Sequence, residues 1–144
     1  MISLANKTSV TLKNNILQVR EAIKNNVGIT LEAIGEFLVV EAKKRVPVDK
    51  GTLKNSIFYR VIGRGRDPRV ELVASAKHGT YVELGTGRYA EGGNGRKTPW
   101  VYKRADGAFV KTTGMKPQPF LRPAAYENAA RITEIASRTF RRGL

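Results

Sequence analysis

Val46-Pro47-Val48-Asp49-Lys50-Gly51-Thr52-Leu53-Lys54-Asn55-Ser56-Ile57 is the stretch where the chain leaves helix and turns toward strand. The residue before a proline is pushed out of the helical region, so Pro47 closes the helix that precedes it. Asp49 sits where its carboxylate can accept from the backbone N–H of Gly51 or Thr52. Such a cap starts a short turn that carries Leu53 and Ile57 on one face. The other roles open to Asp49 are metal ligand or general base, and no second carboxylate lies near it in sequence.

Upstream, apolar residues recur at Ile16, Val19, Ile23, Val27, Leu31, Ile34, Leu38 and Ala42, in steps of three or four that keep one helical stripe. Asn25, Asn26 and Gly28 weaken the middle, since glycine costs about 1 kcal/mol relative to alanine inside a helix. Either one helix bends there or two meet, with Thr30 capping the second. If continuous, the segment from Leu12 to Arg45 reaches roughly 50 Å at the usual rise per residue. A core helix lying on a sheet is the reading adopted; a lever projecting toward a neighbouring subunit is the alternative. Residues 1–10 are expected to be disordered.

Downstream, Ile57–Ile62 and Val70–Ser75 alternate as strands around the glycine- and proline-bearing loop 63–68. A second hairpin is readable at Trp100–Lys103 and Ala108–Thr112, with Asp106-Gly107 in its turn. Residues 85–99 hold five glycines and Pro99, and are expected to form a flexible loop. A closing helix carries Pro123 in its first turn and Ala125, Ala129, Ile132, Ala136 and Phe140 as its buried stripe. Arg138, Arg141 and Arg142 complement the negative end of its dipole. The order predicts an α+β fold in one domain over 1–144: a long N-terminal helical segment packed on an antiparallel β-sheet, with a C-terminal helix.

The chain has 144 residues, no cysteine and a formal charge of +14. Disulfides and zinc–thiolate sites are thereby excluded. No run of about 18 apolar residues marks a membrane span, and no secretion signal is legible at the N-terminus. The positive excess draws polyanions such as nucleic acid, acidic protein surfaces or anionic lipid. It is spread out: 10 Lys/Arg against 5 Asp/Glu in residues 1–60, 11 against 5 in 61–121, and 5 against 2 in 122–144.

Catalytic chemistry finds no support. Residues 91–98 end in Lys-Thr but put Glu91 and Arg96 where a phosphate-binding loop needs glycines. Gly85-Thr86-Gly87-Arg88-Tyr89-Ala90 lacks the last glycine of the dinucleotide pattern. The lone His78 has no positioned partner among Ser56, Ser75 and Asp67, and the glycines between Glu83 and Glu91 fix no carboxylate pair. No catalytic residue, cofactor or metal ligand is expected. Arg64, Arg66, Arg69, Arg88, Arg96, Lys97, Lys103 and Arg104 cluster around the two hairpins, beside Tyr89, Trp100 and Tyr102. Those aromatics suit base stacking or sheet packing.

Three segments in order carry a resemblance: Pro47-Val48-Asp49-Lys50-Gly51-Thr52-Leu53-Lys54-Asn55-Ser56-Ile57, Tyr81-Val82-Glu83-Leu84-Gly85-Thr86, and Pro119-Phe120-Leu121-Arg122-Pro123-Ala124. Together the chain resembles the tail-completion, or head–tail joining, proteins of long-tailed bacteriophages and prophages, over about residues 10–140. Lys50 departs from the family's usual threonine. The resemblance implies a structural rather than enzymatic role, as a minor tail protein in the virion, made in the host cytoplasm. It implies a ring subunit at the head-proximal end of the tail, six copies by analogy. Its partners would be itself, the connector, and tail-terminator or tail-tube proteins, with at most non-specific DNA contact. A basic DNA-binding protein of phage or prophage origin is the alternative. Pro47, Asp49, Gly51, Leu53, Ser56, Tyr81, Glu83, Gly85, Thr86, Pro119, Phe120 and Pro123 are then structural positions. Arg88, Tyr89, Arg96, Lys97, Trp100, Tyr102 and Arg104 form the candidate interface.

Overall fold

The computed structural model describes residues 2–48, 51–64 and 66–144, with side chains from residue 16 onward. Asp49, the expected cap, and Lys50 lie outside the described residues. Helix α1, Ile2–Arg45, is unbroken and ends before Pro47 as expected. No glycine or proline interrupts the chain before Gly28, and the helix runs back to Ile2. Thr30 caps nothing. Its hydroxyl donates to the Asn26 carbonyl one turn back, at 2.8 Å, which keeps this polar side chain satisfied inside a single helix.

The stripe along α1 is covered over only part of its length. Ile34, Leu38 and Ala42 are buried, whereas Ile16, Val19 and Ile23 are exposed. Contacts group the chain into two compact units. One comprises the chain up to Phe37, Arg60–Glu71 and Ala129–Leu144; the other comprises Leu38–Tyr59 and Leu72–Asn128.

The second unit holds the hydrophobic core: Ala42, Val46, Leu53, Ile57, Val82, Phe120 and Ala124, flanked by Leu72, Ala74 and Met115. Phe120 is wholly buried. Gly51 begins the short helix α2, Thr52–Asn55, with φ +76°, a left-handed conformation that glycine adopts without Cβ strain. The Ser56 hydroxyl donates to the Leu53 carbonyl at 2.7 Å and closes that turn.

Strands β1, Ile57–Ile62, and β2, Arg69–Ala74, form one two-stranded sheet. Strands β3, Trp100–Lys103, and β4, Phe109–Thr112, form another, antiparallel, pairing Trp100 with Thr112 and Lys103 with Phe109. The sheet is thus two separate ribbons rather than one surface. A helix that periodicity did not suggest, α3, spans Gly79–Leu84. A Cβ on Gly79 would stand 3.2 Å from Leu53 and 3.3 Å from Ala74, so this helix sits where a side chain has little room.

Two 3₁₀ turns, Gly87–Tyr89 and Glu91–Gly93, occupy the glycine-rich stretch. The closing helix is two helices, α4, Leu121–Tyr126, and α5, Ala129–Arg142. The Asn128 amide donates to the Ala124 carbonyl at 3.0 Å, satisfying an end of α4 that a continuing helix would have used. The expected stripe is only half-covered: Ala125, Ile132, Ala136 and Phe140 are partly buried and Ala129 is exposed.

Candidate functional site

Glu83 sits at the centre of the second unit and ties two of the three sequence segments together. The residue is 7% exposed. One carboxylate oxygen accepts the backbone N–H groups of Phe120 at 2.7 Å and Leu121 at 3.0 Å. The other accepts the Arg122 N–H at 3.1 Å and Arg122 Nε at 2.8 Å. These are the free donors that open α4, and a carboxylate is the natural group to satisfy them. Burial by itself raises the Glu83 pKa. The Leu121 and Phe120 N–H groups, with Arg122, outweigh it and hold the carboxyl below its ordinary value.

Arg122 extends the brace. Its guanidinium donates to both oxygens of Glu91, at 2.8 and 2.9 Å, and to the Glu83 carbonyl at 3.1 Å. Paired to Glu91 and Glu83, its pKa is raised. The backbone runs in step with it. Gln118 N–H donates to Val82 O, Thr86 N–H to Met115 O, and Met115 N–H to Thr86 Oγ1, all within 2.9 Å. Gly85 lies at φ +78°, and a Cβ there would stand 2.8 Å from Pro117. The Tyr81–Thr86 and Pro119–Ala124 segments are thus two sides of one joint. Leu53 and Ile57 from the first segment meet Val82, Phe120 and Ala124 from the others in its core. Among the described residues of the set, Pro47, Tyr81 and Pro119 are exposed. Pro123, half-buried, falls within the first turn of α4.

Four of the seven candidate interface residues stand in cation–aromatic pairs, Arg88 with Tyr89 and Arg96 with Trp100. Arg88 lies 5.6 Å from the centre of the Tyr89 ring, with Lys116 at 5.8 Å from the same ring. Arg96 lies 5.7 Å from the Trp100 ring and donates to Thr98 at 3.2 Å. Arg104 pairs with Asp106 at 2.6 Å across the hairpin turn. Lys97 is exposed. Trp100 and Tyr102 share one face of the β3–β4 ribbon with Val110 and Thr112. The opposite face carries Val101, Lys103, Phe109 and Lys111. Sequence reasoning passed over Val101 and Phe109, although strict alternation from Trp100 places them on that face. In the other unit, Arg64 pairs with Glu32, and Arg60 and Arg69 pair with Glu71. That part of the basic cluster is therefore partly neutralised by its own chain.

Of the residues considered for chemistry, Glu83 and Glu91 are brought together after all, both as acceptors of the Arg122 guanidinium, which holds them as a structural brace. Ser56 and Ser75 hydroxyls donate to backbone carbonyls, and His78 precedes α3 as its cap residue. Among the described residues no group of three or more His, Asp or Glu side chains is placed to hold a metal ion, and no helix is long and apolar enough to cross a membrane.

Residues 11–85 match the model of the family described as "Bacteriophage HK97-gp10, putative tail-component". The match takes in the first segment and the second through Gly85. No curated protein and no solved structure matches the chain.

Proposed function

Because the chain belongs to the HK97-gp10-like family of bacteriophage tail components, we propose that it acts in tail completion, as a non-enzymatic ring subunit at the head-proximal end of the tail. In this reading copies of the chain close a ring, six by analogy with tail symmetry, and the ring joins the tail to the connector. One observation carries it: all three sequence segments send their buried side chains into a single core and its Glu83 brace. Function then falls to what the chain leaves exposed. Ile16, Leu17, Val19 and Ile23 on α1 offer an apolar contact for a neighbouring subunit. The stretch from Gly85 through the β3–β4 hairpin offers a basic, aromatic contact for the connector or the tail tube.

The test is complementation of a phage whose copy of this gene is inactivated. Loss of the chain leaves filled heads and tails unjoined in electron micrographs. Arg96→Glu with Lys97→Glu lowers the yield of joined particles while the purified protein keeps its unfolding midpoint. Normal infectious particles without the chain would remove the proposal.

A further inference from the structure

The outward face of the β3–β4 ribbon exposes apolar side chains whose partner chemistry the reading above leaves unspecified. Val101 is 59% exposed and Phe109 73% exposed. Register pairs Val101 with Lys111 and Lys103 with Phe109, so two apolar side chains occupy one diagonal and two ammonium groups the other. Lys103 Nζ lies 5.9 Å from the centre of the Phe109 ring. Asp106 is the hairpin's only carboxylate, and it is already engaged by Arg104 and the Ala108 N–H.

We infer that this face docks an acidic protein surface, one whose carboxylates flank an apolar patch. The inference deepens the tail-component reading by giving the chemistry of the partner. Charge complementarity selects the occupant. A second copy of the chain carries +14. Among its described residues nine Asp and Glu side chains already pair with its own lysines and arginines. Such a copy brings little free acid to the two ammonium groups. A nucleic-acid duplex would satisfy Lys103 and Lys111 but leave Val101 and Phe109 in water. Covering apolar side chains is a main source of protein–protein affinity, and a phosphate backbone has nothing to cover them with.

The experiment titrates the whole chain with three probes: a blocked peptide alternating glutamate with leucine and phenylalanine, an oligoglutamate of equal charge, and a short DNA duplex. Binding is read from backbone amide shifts at low and physiological salt. The mixed peptide binds about tenfold more tightly than the oligoglutamate, a difference of about 1.4 kcal/mol, with shifts confined to residues 100–112. Val101→Ser with Phe109→Ser removes that advantage without moving the melting temperature, since both side chains are exposed. Lys103→Glu with Lys111→Glu abolishes binding of both acidic probes. Equal affinity for oligoglutamate or tighter binding of DNA overturns the inference, and so does self-association that Phe109→Ser abolishes. Failure here leaves the tail role standing, because the joining assay tests that role without reference to this face.

Discussion

Along helix α1 one apolar spacing meets two different fates. Toward its C-terminal end Leu38 and Ala42 are 7% and 0% exposed, while toward its N-terminal end Ile16 and Val19 are 57% and 54% exposed. The covered end has Leu53, Ile57, Val82, Phe120 and Ala124 brought onto it by the three sequence segments. The exposed end lies among a run of exposed residues from 16 to 25. Periodicity therefore names a face of a helix but not what lies against it.

The strongest way to break the comparison is to strip the cover from the buried end. Phe120 is wholly enclosed, so Phe120→Ala loses its transfer free energy and leaves a cavity, costing about 3–5 kcal/mol. A urea unfolding midpoint that barely moves would mean the covered end is no better packed than the exposed one. Glu83→Ala comes next. It leaves the N–H groups of Phe120, Leu121 and Arg122 without their acceptor and costs about 2–4 kcal/mol.

Acid makes the same cut without a mutation. The Glu83 pKa is lowered in the folded chain, because its hydrogen bonds overcome the upward pull of burial. Its contribution is therefore complete above the unfolded carboxyl value of about 4.3 and is lost as pH falls through the depressed folded value. Glu83→Gln should flatten that acid limb of the unfolding midpoint against pH. An unchanged limb would assign it to other carboxylates, such as Glu41, whose pKa Arg45 and Lys44 also lower.

Much of this frame could be read from the residues, and the reasons are local. Pro47 stops α1, Asp106-Gly107 turns the second hairpin, and both strands of that hairpin start within a residue of where alternation puts them. Local signals set local structure. The burial of Glu83 is a different matter, since its partners lie 37 to 39 residues away and nothing near Tyr81 announces them. A charged residue inside an otherwise apolar Tyr-Val-Glu-Leu run was the one available hint, because a carboxylate there must find donors or stay at the surface. The break between α4 and α5 was hidden for a similar reason. Asn128 reads as an ordinary helix-surface residue until its amide is seen on the Ala124 carbonyl. Nor could the pattern divide the α1 stripe, since residues 16–23 and 34–42 satisfy one rule equally well.

A sharper version of the comparison uses matched truncations on the one helix. Leu38→Ala should cost about 2–3 kcal/mol, as a 7% exposed side chain leaving a cavity. Ile23→Ala, at a position 40% exposed, should stay within about 0.5 kcal/mol. Equal costs in urea unfolding would mean that the N-terminal stripe is covered in solution, most simply by another copy of the chain.

The smallest effect on stability is the one that bears most on function. Ile16→Ser with Val19→Ser changes two side chains that already meet water, so the unfolding midpoint should move by no more than about 0.5 kcal/mol. If those residues instead lie against a neighbouring subunit in the assembled ring, the same change removes apolar area from that contact, at about 25 cal/mol per Å² buried. The loss recurs at every subunit interface of a closed ring, so a modest local penalty becomes a large one for assembly. The double variant should therefore fold normally by circular dichroism and still fail to yield joined particles on complementation. Full yield would show that the exposed end of α1 is no contact, and that the difference between its two ends serves solubility rather than assembly.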